Sequence, residues 1–280
     1  MERQLDSLLQ KQEKSELIVG VGYGNNPAYG GKATNFDLPI VLKPFISPSV
    51  SYYHKSGFFG AASTYYLFDA TRHPWFETDL TAGYDYTKNR SFLTGISYTH
   101  YFFADSSDVP ATPINNELFA YFYYRKWWLQ PGVVFDFGWG KEVTTTGRFT
   151  HTLTGKDFNI ITAVRHPFIF TDVLIPEDAI LLTPSLGFTM GTANYYSNLK
   201  AFQYVSRSSK IKKAKKKRDG REIELEDKTN FEPRAIDVTV NLSYLIGKLT
   251  LAPSFTLFKP LQGVDKQAMT YFTARVNYSF

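Results

Sequence analysis

The chain has no cysteine. That excludes a disulfide framework, a thiol nucleophile and a thiolate metal site. No apolar run approaches the roughly 18 residues that a membrane-crossing helix needs. Charged residues are only 20% of the chain, below the usual quarter. Aromatic residues reach 17%, from 24 Phe and 19 Tyr. That richness excludes intrinsic disorder, and the shortage of charge argues against a coiled coil or helical bundle. A length of 280 residues fits one large all-β domain.

The net charge of +5 comes from one place. Residues 207–221 hold nine Lys or Arg and one Asp, a net +8, which leaves 5 − 8 = −3 for the rest. The basic balance therefore belongs to a loop and gives no ground for a nucleic-acid partner.

Residues 1–15 read as a short amphipathic helix, with Leu5, Leu8 and Leu9 on one face. They lack the apolar core and cleavage site of a secretory signal. From residue 16 to 280 the dominant period is two. Phe272, Ala274, Val276, Tyr278 and Phe280 alternate with Tyr271, Thr273, Arg275, Asn277 and Ser279. Ile236, Val238, Val240 and Leu242 alternate with Asp237, Thr239, Asn241 and Ser243. Such segments are strands with one apolar and one polar face.

The pattern predicts about twelve strands. Short connections fall near residues 54–57, 87–90, 125–127, 173–178 and 246–248. Long ones cover 25–44, 69–75, 104–115, 141–156, 196–232 and 260–267. The expectation is an all-β, up-and-down antiparallel transmembrane barrel with its long loops on one side. Pro131, Pro184 and Pro253 each follow a short turn, and each predicts a bulge or strand end because proline cannot donate to a ladder. Pro48 has similar neighbours but lies on a strand of opposite direction.

Alternation alone does not separate a membrane barrel from a soluble one. The polar face is made of small groups, as in Gly95, Ser97 and Thr99, whereas a soluble surface would carry Lys and Glu. The apolar face ends in rings such as Tyr84, Tyr98, Phe102, Tyr124 and Trp139, which suit the headgroup level.

The segment Tyr271–Phe280, with its alternate apolar positions and final Phe, resembles the terminal strand of bacterial outer-membrane barrels. The resemblance implies an outer-membrane location, and Tyr278 and Phe280 as part of a signal read by the barrel-assembly machinery; the even strand count returns both termini to the periplasmic side. The tyrosine-rich stretch Pro48-Ser-Val-Ser-Tyr-Tyr-His-Lys-Ser-Gly57 is similar in style to barrels of the Bacteroidota type.

None of the five histidines has HExxH or paired metal-ligand spacing, and neither a metal nor any other cofactor is expected. The size also resembles the outer-membrane phospholipases, which use a lipid-facing Ser–His pair with Asn. His100 and His166 fall on the lipid register, but neither has a Ser two residues away on its face. The expectation is a non-enzymatic barrel. Inward charges comprise Glu77, Asp79, Asp85, Glu117, Asp136 and Asp237 with Arg125, Arg165 and Arg275. Neutralisation of these across the lumen is expected. Phe58, Tyr66, Phe119, Tyr121, Tyr123 and Trp128 fall on the same register and would narrow a pore.

Within the loop 196–232, Asp219-Gly220 is a two-residue hairpin turn. Folding there sets Lys217 against Glu222, Lys215 against Glu224, Lys213 against Glu226 and Lys212 against Asp227. The surplus charge of Lys212, Lys213, Lys215, Lys216, Lys217 and Arg218 predicts contact with lipopolysaccharide phosphates or an acidic partner. The function expected first is a structural or accessory subunit of an outer-membrane assembly, docking through this hairpin and the N-terminal helix. The alternative is a narrow porin-like channel for small solutes.

Overall fold

The computed structural model describes residues 15–29, 40–70, 73–86, 88–89, 91–104, 114–146, 149–192, 231–261 and 267–280. Residues 1–14 of the helix expected over 1–15 lie outside the described residues, as does the charged hairpin within 196–232 except for its edge at 231–232.

The strands are β1 Glu16–Tyr29, β2 Ile40–Tyr53, β3 Phe58–Leu67, β4 Trp75–Tyr86, β5 Phe92–Phe103 and β6 Asn116–Tyr124. They continue as β7 Gln130–Thr146, β8 Phe149–Arg165, β9 Phe168–Thr171, β10 Asp178–Gly191, β11 Glu232–Ile246, β12 Leu249–Pro260 and β13 Met269–Ser279. Segments β8 and β9 pair with successive parts of β10 and are two pieces of one wall strand, broken at His166-Pro167. Thirteen segments therefore make twelve strands, all antiparallel. Pairing of β1 with β13, from Ile18↔Ser279 to Gly24↔Thr273, closes the barrel.

Burial inverts the order of a soluble barrel. Val19, Val21, Tyr52, Leu80, Ile96, Phe255, Val276 and Tyr278 are exposed on the outer wall. Ser47, Thr99, Thr189 and Thr256 are buried on the inner one. Two aromatic girdles bound the outer band. One, at the long-connection end, includes Tyr66–Trp75 at 5.1 Å and Phe137–Trp139 at 5.4 Å. The other, at the short-turn end, includes Phe58–Tyr84 at 4.9 Å and Tyr124–Trp127 at 5.4 Å. On β5, Phe92 and Phe102 stand ten residues apart. That is about 33 Å along a strand and roughly 25 Å across a bilayer at the usual tilt, matching the apolar band of outer-membrane barrels.

All four prolines sit where ladders fail. Pro48 lies in a gap of the β2–β3 register, and Pro253 in a gap between β11 and β12. Pro184 faces the β8/β9 break, where its carbonyl accepts from His166 N–H at 3.2 Å. Pro131 opens β7. The direction assigned to β2 stands, so Pro48 marks a break on a descending strand.

Three expectations need correction. Residues 141–156 belong to a long hairpin, since β7 and β8 pair through to Thr146↔Phe149. The β1–β2 pair likewise continues into residues 25–44, through to Tyr29↔Ile40. Phe58 and Tyr66 face outward, opposite Tyr84 and Trp75, because register and the bulge between Tyr65 and Tyr66 set their side. Trp128 lies in the turn after β6 and is 69% exposed.

Candidate functional site

The lumen divides along its axis. In the half nearer the long connections, inward side chains are buried, including Glu77, Asp79, Tyr101, Asp136, Asp157 and Arg234. In the half nearer the short turns, Arg275 and Asn241 are exposed and Tyr53, Asp85, Tyr121 and Asn277 are half-buried. Solvent therefore enters a polar vestibule from the short-turn end.

The acids gather in the buried half. Strand pairing sets Glu117, Gly138 and Asp157 in one row and Phe119, Asp136 and Asn159 in the next. Asn159 Nδ2 donates to Asp136 Oδ2 at 3.2 Å. Glu77 and Asp79, each 1% exposed, lie on β4 of the same wall. The remaining acids line the vestibule. Asp85 accepts from Tyr121 Oη at 2.7 Å, and Asp237 accepts from Thr239 Oγ1 at 3.4 Å.

The three arginines lie toward the short turns. The guanidinium of Arg165 sits over the Tyr123 ring. Arg125 follows β6, where its N–H donates to Ser91 O. Arg275 faces the vestibule, beside the space left by Gly22. None of the three forms an ion pair with a described carboxylate. An ion pair among the described residues joins Lys43 to Asp69 at 2.6 Å. Acids and bases occur in both halves, with Asp85 and Asp237 sharing the vestibule with Arg275, and Arg234 and Lys43 standing among the buried acids. Of the inward aromatics expected, Phe119, Tyr121 and Tyr123 pack against buried Val134 and Ile161.

Three inward groups escaped the sequence reading. Lys43 and Asp157 stand next to or within segments read as loops. Arg234 shares parity with the outward Ile236 and Val238, but the irregularity at Thr189/Met190 turns it into the wall. There its Nε donates to Gly191 O at 2.7 Å and its Nη2 to Thr192 O.

On the outer wall, His100 Nδ1 and Tyr98 Oη meet Asn116 Oδ1 at 2.8 and 2.6 Å. Among the described residues no serine or threonine hydroxyl hydrogen-bonds His100. His166 is held in the β8/β9 break between Trp128 and Phe168.

No protein-family model and no curated protein matches the chain. Among solved structures it is similar to the β domain of the Bordetella autotransporter Brka, at 8% identity and TM-score 0.55, covering 95% of this chain and 100% of that one. The translocator domain of the autotransporter NalP from Neisseria meningitidis gives 11%, 0.53, 99% and 93%. The chain has the fold of outer-membrane β-barrels. The NanC porin lies further away, at 9% identity and TM-score 0.47, covering 94% and 100%.

Proposed function

We propose that the chain is a narrow, porin-like diffusion channel of a Gram-negative outer membrane. The observation that carries this reading is the solvent-accessible vestibule lined by Arg275, Asn241, Tyr53 and Asp85. A barrel serving only as a scaffold has no need of a wet, charged interior. In this reading small solutes enter at the short turns, which face the periplasm together with both termini. They pass Arg275 and Asp85 in the vestibule; the wall beyond, with Glu77, Asp79, Asp136 and Asp157, is buried and has to open for them to cross. Carboxylates in that constriction favour cations. In this reading the assembly machinery recognises Tyr278 and Phe280; the 64% exposure of Phe280 at the rim, where its N–H donates to Leu17 O, supports it.

The accessory-subunit reading keeps one observation in its favour, the burial of inward groups throughout the long-connection half. Conductance of the purified barrel in planar bilayers separates the two. A small, steady, cation-preferring conductance supports the channel. A barrel that never conducts rejects it and leaves the accessory role.

A further inference from the structure

We infer that the outer wall carries a binding site for a phosphate-bearing lipid headgroup, formed by Lys141 and Lys156 beside Trp139 on the β7–β8 hairpin. The inference concerns the bilayer-facing surface and does not rest on conduction.

Register places the two lysines together. Trp139 pairs with Lys156 and Lys141 with Thr154, so Lys141 and Lys156 are diagonal neighbours on one face. Such neighbours stand about 7–8 Å apart, within reach of a single phosphate for two long side chains. Both are exposed, and neither forms an ion pair among the described residues. Two like charges set side by side repel, and an anion between them removes that cost. A cleft of about 360 Å³ opens there, lined by Asn116, Trp139, Lys141, Thr154 and Lys156.

The height of the cleft identifies the occupant. Immediately toward the bilayer centre on this face come Phe137 and Phe135, then Val133, opposite Phe158, Ile160 and Thr162. Trp139 stacks on Phe137 at 5.4 Å and lies 6.0 Å from Tyr98. Beside it, Asn116 receives Tyr98 and His100 and donates to Trp139 O at 3.3 Å. A polar cluster of this kind on a lipid-facing wall is costly in hydrocarbon and at home at the interface. The two ammonium groups then stand at the level where lipid phosphates lie. A soluble acidic protein would have to reach this cleft past the headgroups, whereas a lipid of that leaflet is already there.

The test uses the whole barrel in nanodiscs of phosphatidylcholine with a minor fraction of phosphatidic acid, read by native mass spectrometry. The wild type is expected to retain phosphatidic acid. Lys141→Ala with Lys156→Ala should weaken that retention roughly ten- to thirtyfold, as expected for two basic contacts at an anionic surface. The double Arg variant should keep it. Lys259→Ala, an outward lysine on β12, should leave it unchanged. Heat-modifiable gel mobility shows beforehand that each barrel is folded. Equal retention by wild type and the double Ala variant would overturn the site. So would a phosphorus NMR titration in which inorganic phosphate alone binds as tightly as the lipid and loses that binding in the same variant.

Discussion

Arg165 holds its guanidinium carbon 3.9 Å from the centroid of the Tyr123 ring. The ring has room because Gly132 lies opposite on β7, where a Cβ would stand 2.2 Å from Tyr123 Cδ1. A charge with no carboxylate partner is thus held by an aromatic face inside the barrel. Tyr123→Leu is expected to lower stability by about 1 kcal/mol, the usual size of a cation–π contact between exposed and buried limits. Urea unfolding from detergent micelles measures it. Arg165→Lys should lose less than Tyr123→Leu, since the ammonium still meets the ring.

Arg275 is the counterpart that water reaches. In the channel reading, Arg275→Ala removes a positive charge from the vestibule and raises the cation-to-anion permeability ratio. Reversal potentials under a salt gradient give that ratio. Stability should change by less than about 0.5 kcal/mol, as for surface positions outside special contacts.

Gly57 ends the turn between β2 and β3 with φ +103°. A Cβ there would come within 2.3 Å of the Asp85 carbonyl oxygen, on the strand to which Gly57 O is bonded. Gly57→Ala therefore combines a left-handed conformation with a backbone clash. It should cost roughly 1–3 kcal/mol and slow refolding into vesicles, read by gel mobility. Gly247, with φ +56° and no neighbour within 4 Å of its Cβ position, should tolerate alanine better.

At the opposite side of the short-turn rim, the carboxylate of Asp178 accepts from Val173, Leu174 and Ile175 N–H at 2.7, 2.9 and 3.1 Å. The Tyr244 hydroxyl donates at 2.8 Å. Burial pushes this carboxyl upward, but the N–H groups of Leu174, Val173 and Ile175, with Tyr244, outweigh it and hold it at about 2. A lowered value means the turn is fully stabilised above the ordinary carboxylate range and loses that stability as pH falls toward 2. Amide exchange at Leu174 and Ile175 should accelerate between about pH 4 and 2 relative to Asp178→Asn, whose exchange should lack that step.

The absence of native cysteine makes orientation directly measurable. With short turns periplasmic, His73→Cys should react with a membrane-impermeant maleimide on intact cells. Lys248→Cys should react only after the outer membrane is opened. The reverse pattern would invert the proposed topology.

The barrel was readable in sequence wherever apolar and polar residues alternate strictly, as in Ile236–Ser243 and Phe272–Phe280. It was not readable over Lys141–Thr154, where threonines replace the apolar set and leave no periodicity, yet the backbone keeps pairing. Inward charges were found by parity, so Asp136 and Arg165 could be named. Arg234 escaped because one irregularity reverses parity beyond it. The height of each inward charge was hidden for a different reason: parity gives the face of a residue but not its height against strands a hundred residues away.

The β1–β13 seam has a consequence for how such a chain reaches its final form. Seven residue pairs join these strands, against fourteen between β1 and β2. Ile18 waits for Ser279, so the ladder that abolishes both sheet edges is formed between the most distant partners in the sequence. Until then β1 and β13 are open edges, each able to accept a foreign strand. A helper that occupies one of them during insertion would protect the barrel from pairing with other copies, and would leave as the seven-pair seam zips shut.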